Sequence, residues 1–129
     1  MKIAMTSVYV HDPSEAHRFY TEVLGFVSFM HMPEMRLAIV VSVEDPQGTA
    51  LLLEPNENPI ASEYQRGLYD AGLPTIVLGV QDLNAEHARL AARGVSFRQL
   101  PTQTPWGHQA IFDDTCGNWI QIHQPLTPN

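Results

Sequence analysis

The chain repeats itself, and the repeat limits the folds open to it more than any other feature. The stretches VHDPSEAHRFYTEVLGF from Val10 and VQDLNAEHARLAARGV from Val80 align at an offset of seventy residues. Val10 meets Val80, Asp12 meets Asp82 and His17 meets His87, and a one-residue gap then brings Gly25 onto Gly94. Each copy reads as a strand ending at an Asp suited to cap a helix, then the helix, then a glycine that closes it. The first copy is the more fully signed, with Pro13 at the first helical position and Glu15 completing a capping-box-like pattern. Ala16, Phe19, Tyr20, Val23 and Leu24 recur at helical spacing and are expected to be its buried stripe.

The ends of the two copies match as well. DPQGTALLLEP from Asp45 and DTCGNWIQIHQ from Asp114 both read as Asp-x-x-Gly turns entering a strand, at an offset of sixty-nine that puts Gly48 on Gly117. Between helix and turn, each half has room for two more strands, near residues 26–30 and 36–43 in the first and 95–99 and 108–112 in the second. Each half is therefore β-α-β-β-β, which makes the fold class α+β, two copies of one module. Module 1 spans about residues 1–55, a linker arm about 56–73 and module 2 about 74–125, all in one domain. The arm has Pro and Gly at its ends and predicts a short helix around residues 62–69.

Composition narrows the partners. At 129 residues the chain is one domain by length, able to bury roughly two thirds of its unfolded surface. A net charge of −7 with no basic run argues against nucleic acid and against anionic membranes. No apolar run approaches the roughly 20 residues that span a bilayer, and MKIAMTSVYV lacks the apolar core of a signal peptide. The single cysteine excludes an intrachain disulfide, and a cytoplasmic protein is the plain expectation.

These segments carry a family resemblance. HDPSEAHRFYTEVLGF, LGVQDLNAEHARLAARGV, the turn DPQG and the ending FDDTCGNWIQI together resemble the vicinal oxygen chelate superfamily, which holds glyoxalase I, bleomycin and fosfomycin resistance proteins, and extradiol dioxygenases. The resemblance covers nearly the whole chain and implies that the two β-α-β-β-β modules pair to form a cup-shaped mixed sheet with helices outside, commonly completed in a homodimer. It specifies no single activity, because this scaffold hosts isomerases, dioxygenases, transferases and pure binders. Metal-dependent members carry His, Gln or Glu ligands on the first and last strands of each module. Carried over residue by residue, those places fall on Met5, Leu52, Thr75 and Gln121. A thioether, a hydrocarbon, a hydroxyl and one amide do not make a metal site, so no metal and no cofactor are expected. Two residues on, Glu54 and His123 are repeat mates on the same faces, and with Gln121 they leave a displaced divalent-metal site as the alternative.

Alternation along the strands assembles the candidate pocket. Trp119, Gln121 and His123 share one side of the last strand, against Ile120 and Ile122 on the other. Counting from Met5 puts Met5, Ser7 and Tyr9 inside the cup, counting from Thr75 puts Thr75 and Val77 inside, and Leu52 and Glu54 join them. The proline-framed loop PTQTPWGHQAIF adds Trp106 and His108 as rim or lining residues. His17, His87 and His11 are expected outside the cup, on helices or a turn. His31 sits in a Met-rich edge, and Cys116 is a turn residue without the neighbours that activate a thiol. The expected function is binding of a small organic molecule in a mostly apolar cup with a few convergent polar groups. The alternatives are a metal-dependent lyase, isomerase or dioxygenase using Glu54, Gln121 and His123, and an interaction module with a filled cup.

Overall fold

A computed structural model of the chain describes residues 1–126. It contains the two β-α-β-β-β modules that the repeat predicts. In module 1, β1 (Met5–Val10) leads into α1 (Pro13–Arg18), then β2 (Val27–Met32), β3 (Leu37–Val41) and β4 (Ala50–Pro55). The arm forms α2 (Pro59–Ala71), and module 2 follows with β5 (Pro74–Gly79), α3 (Leu83–Ala92), β6 (Phe97–Thr104), β7 (Gly107–Asp113) and β8 (Trp119–Pro125). Each module is a four-stranded mixed sheet, ordered β1-β4-β3-β2 and β5-β8-β7-β6. In both sheets the first strand runs parallel to the last and the remaining pairs are antiparallel.

Local chemistry accounts for the helices. Asp12 accepts from the Ser14 amide at 2.9 Å, and its mate Asp82 accepts from the Ala85 amide at 3.1 Å, so both aspartates cap. Glu15 pairs with Arg18 instead of closing a capping box. Beyond Arg18 the first helix widens into a π turn over Phe19–Val23, closed by a Leu24 amide bond to the Phe19 carbonyl. Phe19 and Leu24 in this segment pack against both module cores. The arm helix is longer than residues 62–69. Asn58 caps it, Pro59 opens it, and Gly72 closes it in the left-handed conformation at φ 74°.

Two cores lie under the convex faces. Val8, Val10, Ala16, Tyr20, Val40 and Leu53 centre the first, while Leu83, Leu90, Ala110, Phe112, Ile120 and Ile122 form the second. Burying each large side chain contributes about 1.5–3 kcal/mol. The β7–β8 turn ties the modules together. Cys116 inserts into the first core, and the buried Asp114 carboxylate accepts from the Tyr20 hydroxyl at 2.7 Å. It accepts also from the amides of Cys116 and Asn118 and from the Asn118 side chain. From α2, the buried Gln65 donates to the Tyr9 and Cys116 carbonyls. The arm is thus a structural strut between the modules.

Candidate functional site: the concave sheet faces

In module 1 the concave face is apolar. The register sets Met5 beside Ala50, Ser7 beside Leu52, and Tyr9 beside Glu54, and Leu52 is in turn opposite Ile39. Ile39, Val41 and Ala50 are buried there, with Leu37 and Leu52 packed against them. Met30 pairs with Ile39 and Met32 with Leu37 on edge strand β2, beyond a bulge at Phe29. Unbranched thioethers there suit ligands of variable shape. Glu54 is the carboxylate of this face, half-buried and in none of the three ion pairs found among the described residues.

In module 2 the same face is built from amides. Gln121 donates to Gln109 at 3.3 Å, and Gln109 donates to Gln99 at 3.0 Å, forming a row across β8, β7 and β6. Val77 pairs with Gln121, Ile111 stands between Gln121 and Gln99 in register, and His123 pairs with Gln109. The backbone comes very close here: a Cβ on Gly107, at φ 150°, would stand 2.1 Å from the Gln124 carbonyl and 3.1 Å from the His123 ring. Only glycine fits, and it leaves His123 its place.

Trp119 is less available than its alternation suggests. Tyr69 of α2 stacks on it with ring centroids 4.7 Å apart, its indole N–H donates to the Tyr69 carbonyl, and the Arg98 guanidinium lies 5.3 Å from its centroid. The Tyr69 hydroxyl donates to Asp113 at 2.7 Å, which lifts the Tyr69 pKa above its ordinary value. Trp119 therefore anchors the arm.

Of the residues expected at the site, Met5, Ser7, Tyr9, Leu52 and Glu54 share the module 1 concave face, and Thr75, Gln121 and His123 share that of module 2. Thr75 turns its hydroxyl to the Trp119 carbonyl at 3.5 Å. Trp106, 71% exposed, stands at the tip of the β6–β7 turn. His108 lies elsewhere: it alternates with Gln109 and so shares the convex side with Ala110 and Phe112. Gln99 and Gln109 escaped the sequence reading, as did Leu37, Ile39 and Val41. Period-two counting through the inner strands, extended from Gln121 and Leu52, finds all but Gln99, which stands between two register shifts of β6.

Among the described residues, cavities of about 370, 360 and 450 Å³ open on the helix side and at the module junctions, and none of the ten expected residues lines these. The 360 Å³ cavity includes His11 in its wall. His17 stacks on His31 at 4.1 Å, with their ring nitrogens on the hydroxyls of Ser28 and Ser14. His87 meets Phe97 edge-on. Burial pushes the Cys116 thiol up to about 12, which suits a structural turn residue and not a nucleophile.

The side chains at the family's metal positions do not fit a metal ion. Met5 and Leu52 are apolar neighbours of Ala50 and Ile39, the Thr75 hydroxyl is turned to a backbone carbonyl, and Gln121 alone offers an amide oxygen, too little to hold a divalent ion. Among the described residues, no three of His, Cys, Asp and Glu stand close enough together to hold one.

Comparison with known proteins agrees with this architecture. The model of the Glyoxalase/Bleomycin resistance protein/Dioxygenase superfamily matches residues 2–122. The uncharacterised protein YurT of Bacillus subtilis strain 168 is 48% identical over 126 residues, covering 96% of this chain and 99% of its own. Among solved structures, UcmS2 superposes with a TM-score of 0.79 at 28% identity, covering 95% of this chain and 97% of its own. TnmS3, an antibiotic binding protein from Streptomyces sp. CB03234, gives a TM-score of 0.74 at 30% identity, covering 97% and 96%.

Proposed function

Since the chain belongs to the glyoxalase/bleomycin resistance protein/dioxygenase superfamily, we propose that it binds a small organic molecule against its concave sheet faces, without a metal ion. The observation that carries this reading is the make-up of the concave faces, apolar around Ile39 and Leu52 in module 1 and amide-rich around Gln109 and Gln121 in module 2. An apolar surface with a few convergent polar groups is the usual make-up of a small-molecule site. The likeness to an antibiotic binding protein supports the same class of ligand, with sequestration or detoxification as its use. The metal-free part rests on the donor chemistry at Met5, Leu52, Thr75 and Gln121.

A homodimer belongs to the proposal. Met5, Met30 and Val77 on the concave faces are 45%, 38% and 55% exposed in the single chain. A second copy would cover them and complete the cup. No helix among the described residues is long and apolar enough to cross a membrane, and a cytoplasmic location is part of the same reading.

A panel of organic compounds screened by thermal melting tests the proposal. A ligand at 100 times its dissociation constant stabilises by about 2.7 kcal/mol, several degrees for a domain of this size. Hits should disappear in a Leu52→Asn or Ile39→Asn variant that still folds; a broad panel without hits would sink the reading. The unpaired carboxylate of Glu54 favours one second reading, a metal-dependent lyase, isomerase or dioxygenase that uses Glu54, Gln121 and His123. It requires stoichiometric metal in the purified protein and turnover that a chelator abolishes.

A further inference from the structure

The amide row gives the proposed cup a chemical preference. Three carboxamides carry six N–H donors and six carbonyl lone pairs in all. The Gln121–Gln109 and Gln109–Gln99 bonds use two of each, leaving four donors and four acceptor sites for a ligand. Both bonds survive if all three amides turn over together, so the row can meet a donor or an acceptor at either end. No carboxylate or guanidinium belongs to the row. At its margin, Asp113 at the end of β7 accepts from the Tyr69 hydroxyl and the Thr115 amide, and the Arg98 guanidinium is spent over the Trp119 ring. Ile111, half-buried between Gln121 and Gln99 in register, adds an apolar strip along the same line.

The row also has a length. It crosses from β8 to β6, two interstrand spacings, or about 10 Å. That is the long edge of two fused aromatic rings with one substituent. The module 1 concave face, with Leu37 and Leu52 beside Met30 and Met32, is hydrocarbon of the kind that suits the flat face of such a molecule.

We propose that the Gln99–Gln109–Gln121 row selects neutral, flat aromatic ligands that carry carboxamide or carbonyl groups along an edge. The proposal rests on the cup reading above and names the ligand class of that site. Gln109 is the pivot, because it makes both bonds of the row, and losing it leaves Gln121 and Gln99 unlinked.

The test is equilibrium dialysis of the full chain against three probes of one shape: naphthalene-2-carboxamide, 2-isopropylnaphthalene and naphthalene-2-carboxylate. Wild type is expected to bind the carboxamide about tenfold or more tightly than either of the others, as a polar row rejects an isostere lacking its hydrogen bonds. Gln109→Met, close in volume, should lose that preference while keeping its affinity for the hydrocarbon. Gln99→Met, at the β6 end of the row, should lose part of it, and thermal melts of both variants confirm folding. Equal binding of carboxamide and hydrocarbon, or a preference unchanged in Gln109→Met, overturns the row and leaves the cup standing. Tighter binding of the carboxylate overturns the neutral class. Failure of all three probes overturns the row as well, and the cup itself is then judged separately by the compound panel.

Discussion

The two concave walls occupy equivalent places in equivalent modules, yet their chemistry differs. Leu52 and Gln121 are repeat mates, and each pairs with the first strand of its own sheet, Leu52 with Ser7 and Gln121 with Val77. On the convex side the mates agree: Leu51 and Leu53 in one module, Ile120 and Ile122 in the other, all buried. The convex faces answer to the core, where any polar side chain would need a buried partner. The concave faces differ: that of module 1 is hydrocarbon, with Ile39, Val41 and Ala50 themselves buried, while that of module 2 carries a hydrogen-bonded amide row. The repeat mates agree on the convex side of each sheet and diverge on the concave side.

The two Asp-x-x-Gly turns diverge in the same way. Asp114 is fully buried and accepts four hydrogen bonds, whereas its mate Asp45 is exposed in a loop that leaves the core of the other module alone. Asp114→Ala should therefore cost about 3–5 kcal/mol by denaturant unfolding, since it strands four donors in the interior. Asp45→Ala should stay within about 0.5 kcal/mol. Comparable costs would show that the turns are equivalent after all.

Neighbouring leucines on β4 sharpen the contrast between faces. Leu53 is fully buried under α1, so Leu53→Ala should lose about 2–5 kcal/mol. Leu52→Ala, one residue back on the concave side, should lose about 1 kcal/mol or less of stability and fall instead in ligand affinity. A Leu52 variant as unstable as the Leu53 one would mean that the concave face is core and not cup.

The smallest effect concerns pH. Burial, with the neighbouring His31, holds the His17 imidazole below its ordinary 6.5, against a weaker pull from Glu22. A His whose folded value is depressed contributes stability that is complete above 6.5 and is lost as pH falls from there through the folded value. Melting midpoints should accordingly drop across that acid window, and His17→Gln should flatten the drop. A profile identical in the variant would assign the acid sensitivity to other groups.

The architecture was legible because duplication writes it twice. Asp12 and Asp82 cap where their matching positions say, and both sheets follow from the alternating strands. Three things were not. The arm helix runs from Pro59 to Ala71 because Gln65 and Tyr69 lock onto module 2, and such contacts leave no periodic signal beyond a capping Asn58. The bulges in β6 break the period that would have led to Gln99. His108 is placed by its strand partners: once Gln109 faces the cup, His108 faces the other way. Local spacing identifies elements, and the facing of an inner strand emerges only once its neighbours are set.

The proposed cup binds its ligand without a metal ion, and metal titration tests that most directly. Chelator-stripped protein should be melted in the presence of Zn, Ni, Co, Mn and ferrous iron, each titrated separately. The account predicts midpoints that no metal raises, alongside ligand-induced shifts that survive the chelator. A saturable rise of several degrees with any one metal, lost in Glu54→Ala or His123→Ala, would contradict it.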